Sequence, residues 1–293
     1  MKGFVKKTVW FVLLLIVPMA TIYAVCNYQK GKGLSKEAIY VWGDSQIVQG
    51  LDLSLLSSKL SKQVLSSAQH GGGVYDFLVS IEYIPDGSTC IIEFPESAFF
   101  RSLLLDYNRT GMNFHSLWSM IKSNTPVHEC NRIFILNRSC LFSYKSVFST
   151  NHTLYPYNQE LNYTLPLSRL CDSFNTKQDY SDWKIAAYEY GISQLIDKDC
   201  RIVFIQFPYE KQVDQCARQS VNRMISEEVK ERMFVDISMA QDTIALPNDS
   251  LQMYDLSHLN EVGAKHVTLG VAEAMLQDSL DNRFFFVTLS HGK

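Results

Sequence analysis

Three residue types that together can cleave an ester stand in two short motifs at opposite ends of the chain. Gly43-Asp44-Ser45-Gln46 follows the strand-like run Ala38-Ile39-Tyr40-Val41-Trp42, and Asp255-Leu256-Ser257-His258-Leu259-Asn260 lies near the C-terminus. A serine hydroxyl is a weak nucleophile and needs a base, which neutral imidazole supplies near pH 7. A carboxylate three residues before the histidine can accept from one ring nitrogen, set its tautomer and stabilise the imidazolium. Taken singly, the Asp-Ser pair suits a helix cap and Asp255 suits a turn. Taken together, Ser45, His258 and Asp255 supply a nucleophile, a base and the acid that orients it.

Such a trio needs a scaffold that joins distant parts of the chain. Residues 38–42, 64–68, 89–94 and 201–207 are short apolar runs, the last two stopped by Pro95 and Pro208, and 233–237 is a shorter one. Helical spacing is expected after the Gly-Asp-Ser turn into 51–60, near 75–83, over 182–198 and over 261–280. Alternation of this kind predicts a parallel sheet covered on both faces, with ligands beyond the carboxyl ends of the strands. Ser45, just past the first strand, falls there, where amides at a helix start can face a developing negative charge.

Residues 105–180 break the alternation. They are rich in Asn, Ser and Tyr, have no clear period, and read either as an insertion that covers or flanks the site or as a passive excursion. Glu93 and Glu96 are expected as exposed carboxylates near the pocket mouth, His70, beside three glycines, as a turn residue in preference to one lining the site, and His291 as part of a frayed tail.

The chain has 293 residues, a net charge of −3 and 19% charged residues, which argues against a nucleic-acid surface. Lys2, Lys6 and Lys7 precede an apolar run over 8–26, about the length of a membrane-spanning helix. We read 1–26 as a cytoplasmic start and transmembrane anchor, in preference to a cleaved signal. Residues 27–37 read as a tether and 38–293 as the folded domain. The seven cysteines contain no Cys-x-x-Cys pair, which argues against zinc and thioredoxin-type sites. Proximity alone suggests Cys130 with Cys140 and Cys200 with Cys216. Asn-x-Ser/Thr sequons begin at Asn108, Asn137, Asn151, Asn162 and Asn248.

With Gly43-Asp44-Ser45 as a first block and Asp255-Leu256-Ser257-His258 as a last, the chain resembles the SGNH/GDSL hydrolase superfamily. The glycine of the second block matches Gly71 in Ala68-Gln69-His70-Gly71. The resemblance implies an α/β fold, a flavodoxin-like three-layer sandwich with a central parallel sheet, here preceded by one transmembrane helix. It implies an oxyanion hole built from the Ser45 and Gly71 backbone amides. The third block departs from the family: the chain reads Ile92-Glu93-Phe94-Pro95-Glu96-Ser97, with no Gly-x-Asn-Asp.

Anchored members of that superfamily are often linked to cell-surface polysaccharide acylation. The expectation is therefore an extracytoplasmic (periplasmic or extracellular) serine esterase or O-acyltransferase acting on an acylated carbohydrate. No metal or organic cofactor and no nucleic acid is implied, and polysaccharide-assembly proteins are candidate partners. The alternatives are a catalytically weakened carbohydrate-binding or assembly component on the same fold, and a membrane-bound partner subunit.

Overall fold

The computed structural model describes residues 2–93, 114–137, 146–150, 152–157, 182–207, 240–246, 252–255, 258–277 and 284–291. Four parallel strands form its centre: β1 (Ile39–Trp42), β2 (Val64–Ser66), β3 (Thr89–Glu93) and β4 (Arg201–Gln206), in the order β2-β1-β3-β4. In register, Ile39 stands beside Val64 and Thr89, and Ile91 beside Val203. Two further parallel strands extend the sheet past β4. β6 (Phe284–His291) pairs with β4, and β5 (Ala240–Leu246) lies at the edge. His291 thus belongs to a sheet strand opposite Leu246, not to a frayed tail. The expected strand at 233–237 lies outside the described residues.

Alternation of side chains along the strands divides the core in two. Tyr40, Trp42, Cys90, Ile92, Ile202 and Phe204 pack with residues of α4 (Val74–Tyr83), α5 (Phe114–Lys122) and α7 (Asp182–Asp197). Ile39, Val41, Ile91, Val203 and Ile205 pack with α2 (Ser45–Gly50), α3 (Leu53–Leu60) and α8 (Glu261–Gln277). Burial of each such Ile, Val or Phe contributes roughly 1.5–3 kcal/mol, so the strands are held from both sides.

Local chemistry sets the helix boundaries. The stretch expected as one helix after the Gly-Asp-Ser turn is two, because Asp52 breaks it and caps α3 by accepting from the Leu55 N–H at 3.0 Å. Asn260 does the same for α8, its Oδ1 accepting from Val262 and Gly263 at 2.9 and 3.1 Å.

At the N-terminus, α1 (Lys2–Gly31) is long and apolar enough to cross a membrane. It runs five residues into the expected tether, and those residues are docked. Tyr23, Cys26, Asn27 and Lys30 recur at helical spacing on one face. Tyr23 packs against the first core cluster, Cys26 and Lys30 are buried, and Asn27 Oδ1 accepts from the Tyr83 hydroxyl at 3.1 Å.

Within 105–180, the described parts are structured against the domain. Met120 of α5 and Ile133 of α6 (Val127–Asn137) are fully buried. Of the cysteines in the two proximity pairings, Cys130 is a free cysteine and Cys200 hydrogen-bonds Cys90. Cys140 and Cys216 lie outside the described residues.

Candidate active site

The site begins where β1 ends. Asp44 is the N-cap of α2, its Oδ1 accepting from the Gln46 N–H at 2.7 Å, which makes Ser45 the first helical residue. The turn is tight because Gly43 has no side chain. A Cβ there would lie 2.3 Å from both Glu93 Oε2 and Ile47 Cγ1.

From the opposite end of the sequence, the Asp255–His258 turn is fastened to the start of α8. The Asn260 N–H donates to Gln252 O at 2.9 Å, and the Tyr254 N–H to His258 O at 2.8 Å. Gly263 permits this closeness, since a Cβ there would sit 2.3 Å from Gln252 O. α8 in turn packs on α2 and α3, where Thr268 Oγ1 accepts from the Asp52 N–H at 2.9 Å. The helix that follows the histidine is thereby held against the helix that begins with the serine.

Across 213 residues of sequence, His258 Nε2 lies 2.8 Å from Ser45 Oγ. On the other side of the ring, Nδ1 stands 2.9 and 2.8 Å from the two Asp255 carboxylate oxygens. A ring nitrogen facing two carboxylate oxygens carries the proton, so Nδ1–H donates to Asp255 and Nε2 accepts the Ser45 O–H. Asp255 Oδ1 also accepts the His258 backbone N–H at 2.9 Å, which fixes the carboxylate to the same turn. The His258 and Asp255 side chains keep 19% and 25% of their surface exposed, so the site is open to a ligand.

Gly71 lies beside this group in a left-handed conformation (φ +71°) that suits glycine. Its turn is pinned to the Gly43–Ser45 turn: the Gln69 N–H donates to Gly43 O at 3.3 Å, and a Cβ on Gly72 would meet that oxygen at 2.9 Å. Among the described residues, no protein acceptor takes the Ser45 or the Gly71 backbone N–H. His70 is exposed and lies 3.3 Å from Gln49 Nε2 through its own Nε2.

Glu93 differs from its expected place. It is fully buried, the last residue of β3, with Oε2 accepting the Asp44 N–H at 2.6 Å. Burial, followed by the nearby Asp44 carboxylate, pushes its carboxyl well above the usual range; the Asp44 and Ile47 backbone N–H groups offset this only in part. One signal was available in the sequence: Glu93 shares the alternating face of Ile91 in an otherwise apolar strand. Glu96 lies outside the described residues.

Residues 146–150 and 152–157 contribute a wall that no motif announced. Ser66 at the end of β2 exchanges both backbone hydrogen bonds with Ser149 at 2.7 Å. His152 Nδ1 lies 3.3 Å from Leu51 O and its Nε2 lies 2.8 Å from Ser66 Oγ, so Nδ1–H donates and Nε2 accepts. Burial lowers the His152 pKa to about 4, which keeps the ring neutral. The Glu261 N–H then donates to Tyr155 O at 2.8 Å, placing the Tyr155 ring edge-on to His258 at 5.8 Å and stacked on Tyr254 at 4.0 Å. For its described part, the segment flanks the site.

No family model and no curated protein matches this chain. Among solved structures, the chain is similar to the Bacillus subtilis protein YxiM, at 14% identity and a TM-score of 0.32. The alignment covers 83% of this chain and spans 57% of the length of that protein.

Proposed function

We propose that this protein is a membrane-anchored serine esterase or O-acyltransferase of the SGNH/GDSL type, acting outside the cytoplasm on an acylated carbohydrate. The observation that carries the reading is the continuous chain of hydrogen-bonding contacts Ser45–His258–Asp255. The two helix-covered faces of the parallel sheet support a flavodoxin-like three-layer sandwich, and the apolar length of α1 supports a single-pass anchor.

In this reading Ser45 Oγ attacks the ester carbonyl carbon while its proton passes to His258 Nε2. Asp255 stabilises the imidazolium. The Ser45 and Gly71 amides donate to the carbonyl oxygen as it becomes negative. The C–O bond to the alcohol then breaks, and Nε2 returns the proton to the departing oxygen. Water or a sugar hydroxyl, deprotonated by the same nitrogen, releases the acyl group from Ser45. Because the proton leaves from Nε2, groups beside the imidazole face the alcohol half of the ester. Tyr155 and Tyr254 stand there, and stacked aromatic rings with polar tips suit a sugar ring.

A fluorophosphonate probe tests the assignment. Wild-type protein should be labelled at Ser45 and should hydrolyse p-nitrophenyl acetate, with Ser45→Ala losing both. Equal hydrolysis by the two proteins removes Ser45 as the nucleophile. Binding of acylated oligosaccharide without labelling favours the carbohydrate-binding alternative.

A further inference from the structure

α5 carries apolar side chains on two sides. Met120 is buried in the core beside Ser116 and Ser119, whereas Phe114, Trp118 and Ile121 are 54%, 54% and 53% exposed. Those three recur at i, i+4 and i+7, so they form one stripe along the helix. Exposing such a stripe is unfavourable in water, and contiguous exposed apolar surface marks an interaction face.

The stripe adjoins α1. The Tyr23 hydroxyl accepts the Phe114 N–H at 2.8 Å, and the two rings lie 5.0 Å apart. Ile22 and Val25, on either side of Tyr23 and Ala24, are themselves 52% and 53% exposed. The apolar run of α1 ends at Cys26, three residues past Tyr23, which is about 4.5 Å along a helix axis. That depth matches the headgroup and acyl boundary, where amphipathic helices lie and aromatic side chains concentrate.

We propose that the Phe114, Trp118 and Ile121 face of α5 rests in the interfacial layer of the bilayer that α1 enters. The proposal rests on the reading of α1 as a membrane anchor. The docked C-terminal end of α1 and the embedded α5 together give the domain two attachments. They hold it against the membrane in one orientation, so that its site addresses substrate at a fixed height above the lipid.

Tryptophan quenching in proteoliposomes of the full chain, made with lipids brominated on the acyl chains near the headgroup, tests both readings separately. Of the four tryptophans, Trp10 reports the anchor and Trp118 the α5 face, while Trp42 is buried in the protein core and Trp183 is packed, partly buried, against it. Wild-type fluorescence should be quenched. Trp10→Phe should remain quenched, and adding Trp118→Phe should remove more than half of what is left. Quenching in wild type that vanishes in Trp10→Phe leaves the anchor standing and overturns the α5 contact. Residual quenching that Trp118→Phe does not change overturns it as well. Wild-type protein without quenching overturns the anchor and the proposal with it.

Discussion

Glu93 Oε2 accepts the Asp44 backbone N–H at 2.6 Å, so a fully buried carboxyl at the end of β3 fixes the residue that precedes the candidate nucleophile. Its raised pKa means that the folded state favours the neutral acid. The sign follows: this group's contribution is best at acid pH and declines as pH rises above the ordinary carboxylate range. Glu93→Gln, neutral at every pH, should match wild type near pH 5 and exceed it near pH 8 in urea denaturation. Glu93→Ala leaves a buried amide unpaired beside a cavity and should cost about 2–4 kcal/mol. A Gln variant that weakens further at high pH contradicts a neutral Glu93.

Asp255 is expected to act through His258, not through the substrate. Asp255→Asn can present an N–H to Nδ1 and thereby favour the wrong tautomer, as the same change does in serine-protease triads. Hydrolysis of p-nitrophenyl acetate should fall in kcat by on the order of 10³ to 10⁴, with KM changing little. A loss confined to KM would place Asp255 in binding.

Tyr155 should separate the two halves of the ester. Methyl 6-O-acetyl-glucopyranoside and ethyl acetate share the acyl group and differ only in the alcohol. Tyr155→Ala should lower the ratio of their kcat/KM values by roughly three- to tenfold, the range of one aromatic contact. An unchanged ratio removes the tyrosine pair from the alcohol side of the site.

His152 makes the wall formed by residues 146–150 and 152–157 sensitive to acid. Its pKa is lowered to about 4, so the stabilisation belongs to the neutral ring. It is fully present above the unfolded value of about 6.5 and is lost as pH falls through about 4, amounting to about 3 kcal/mol. Hydrogen exchange at the Ser149 and Glu261 amides, corrected for intrinsic rates, should accelerate across that interval. His152→Gln, which cannot titrate, should flatten the response.

Much of the scaffold was legible because it is written locally. Each of the first four strands is a short apolar run ended by a turn or proline, and α7 and α8 begin and end within a few residues of their spacing patterns. β5 and β6 were missed. The run Ala240-Gln241-Asp242-Thr243 is polar for a strand, and pairing with β6 in the sheet overrides that weak propensity. The break at Asp52 was missed because its capping bond competes with an otherwise helical pattern.

By itself the sequence determined which reactive groups exist and which are neighbours in the chain. Asp255 and His258 are three residues apart, so one turn suffices to join them. Only the tertiary structure decided that Ser45 comes within 2.8 Å of His258, because that contact depends on α8 packing against α2 and α3. It also decided that Glu93 is buried beneath Asp44 and that Tyr155 stands beside the imidazole. Burial and long-range contact arise from the way whole faces of strands and helices meet, and no spacing along the chain encodes that.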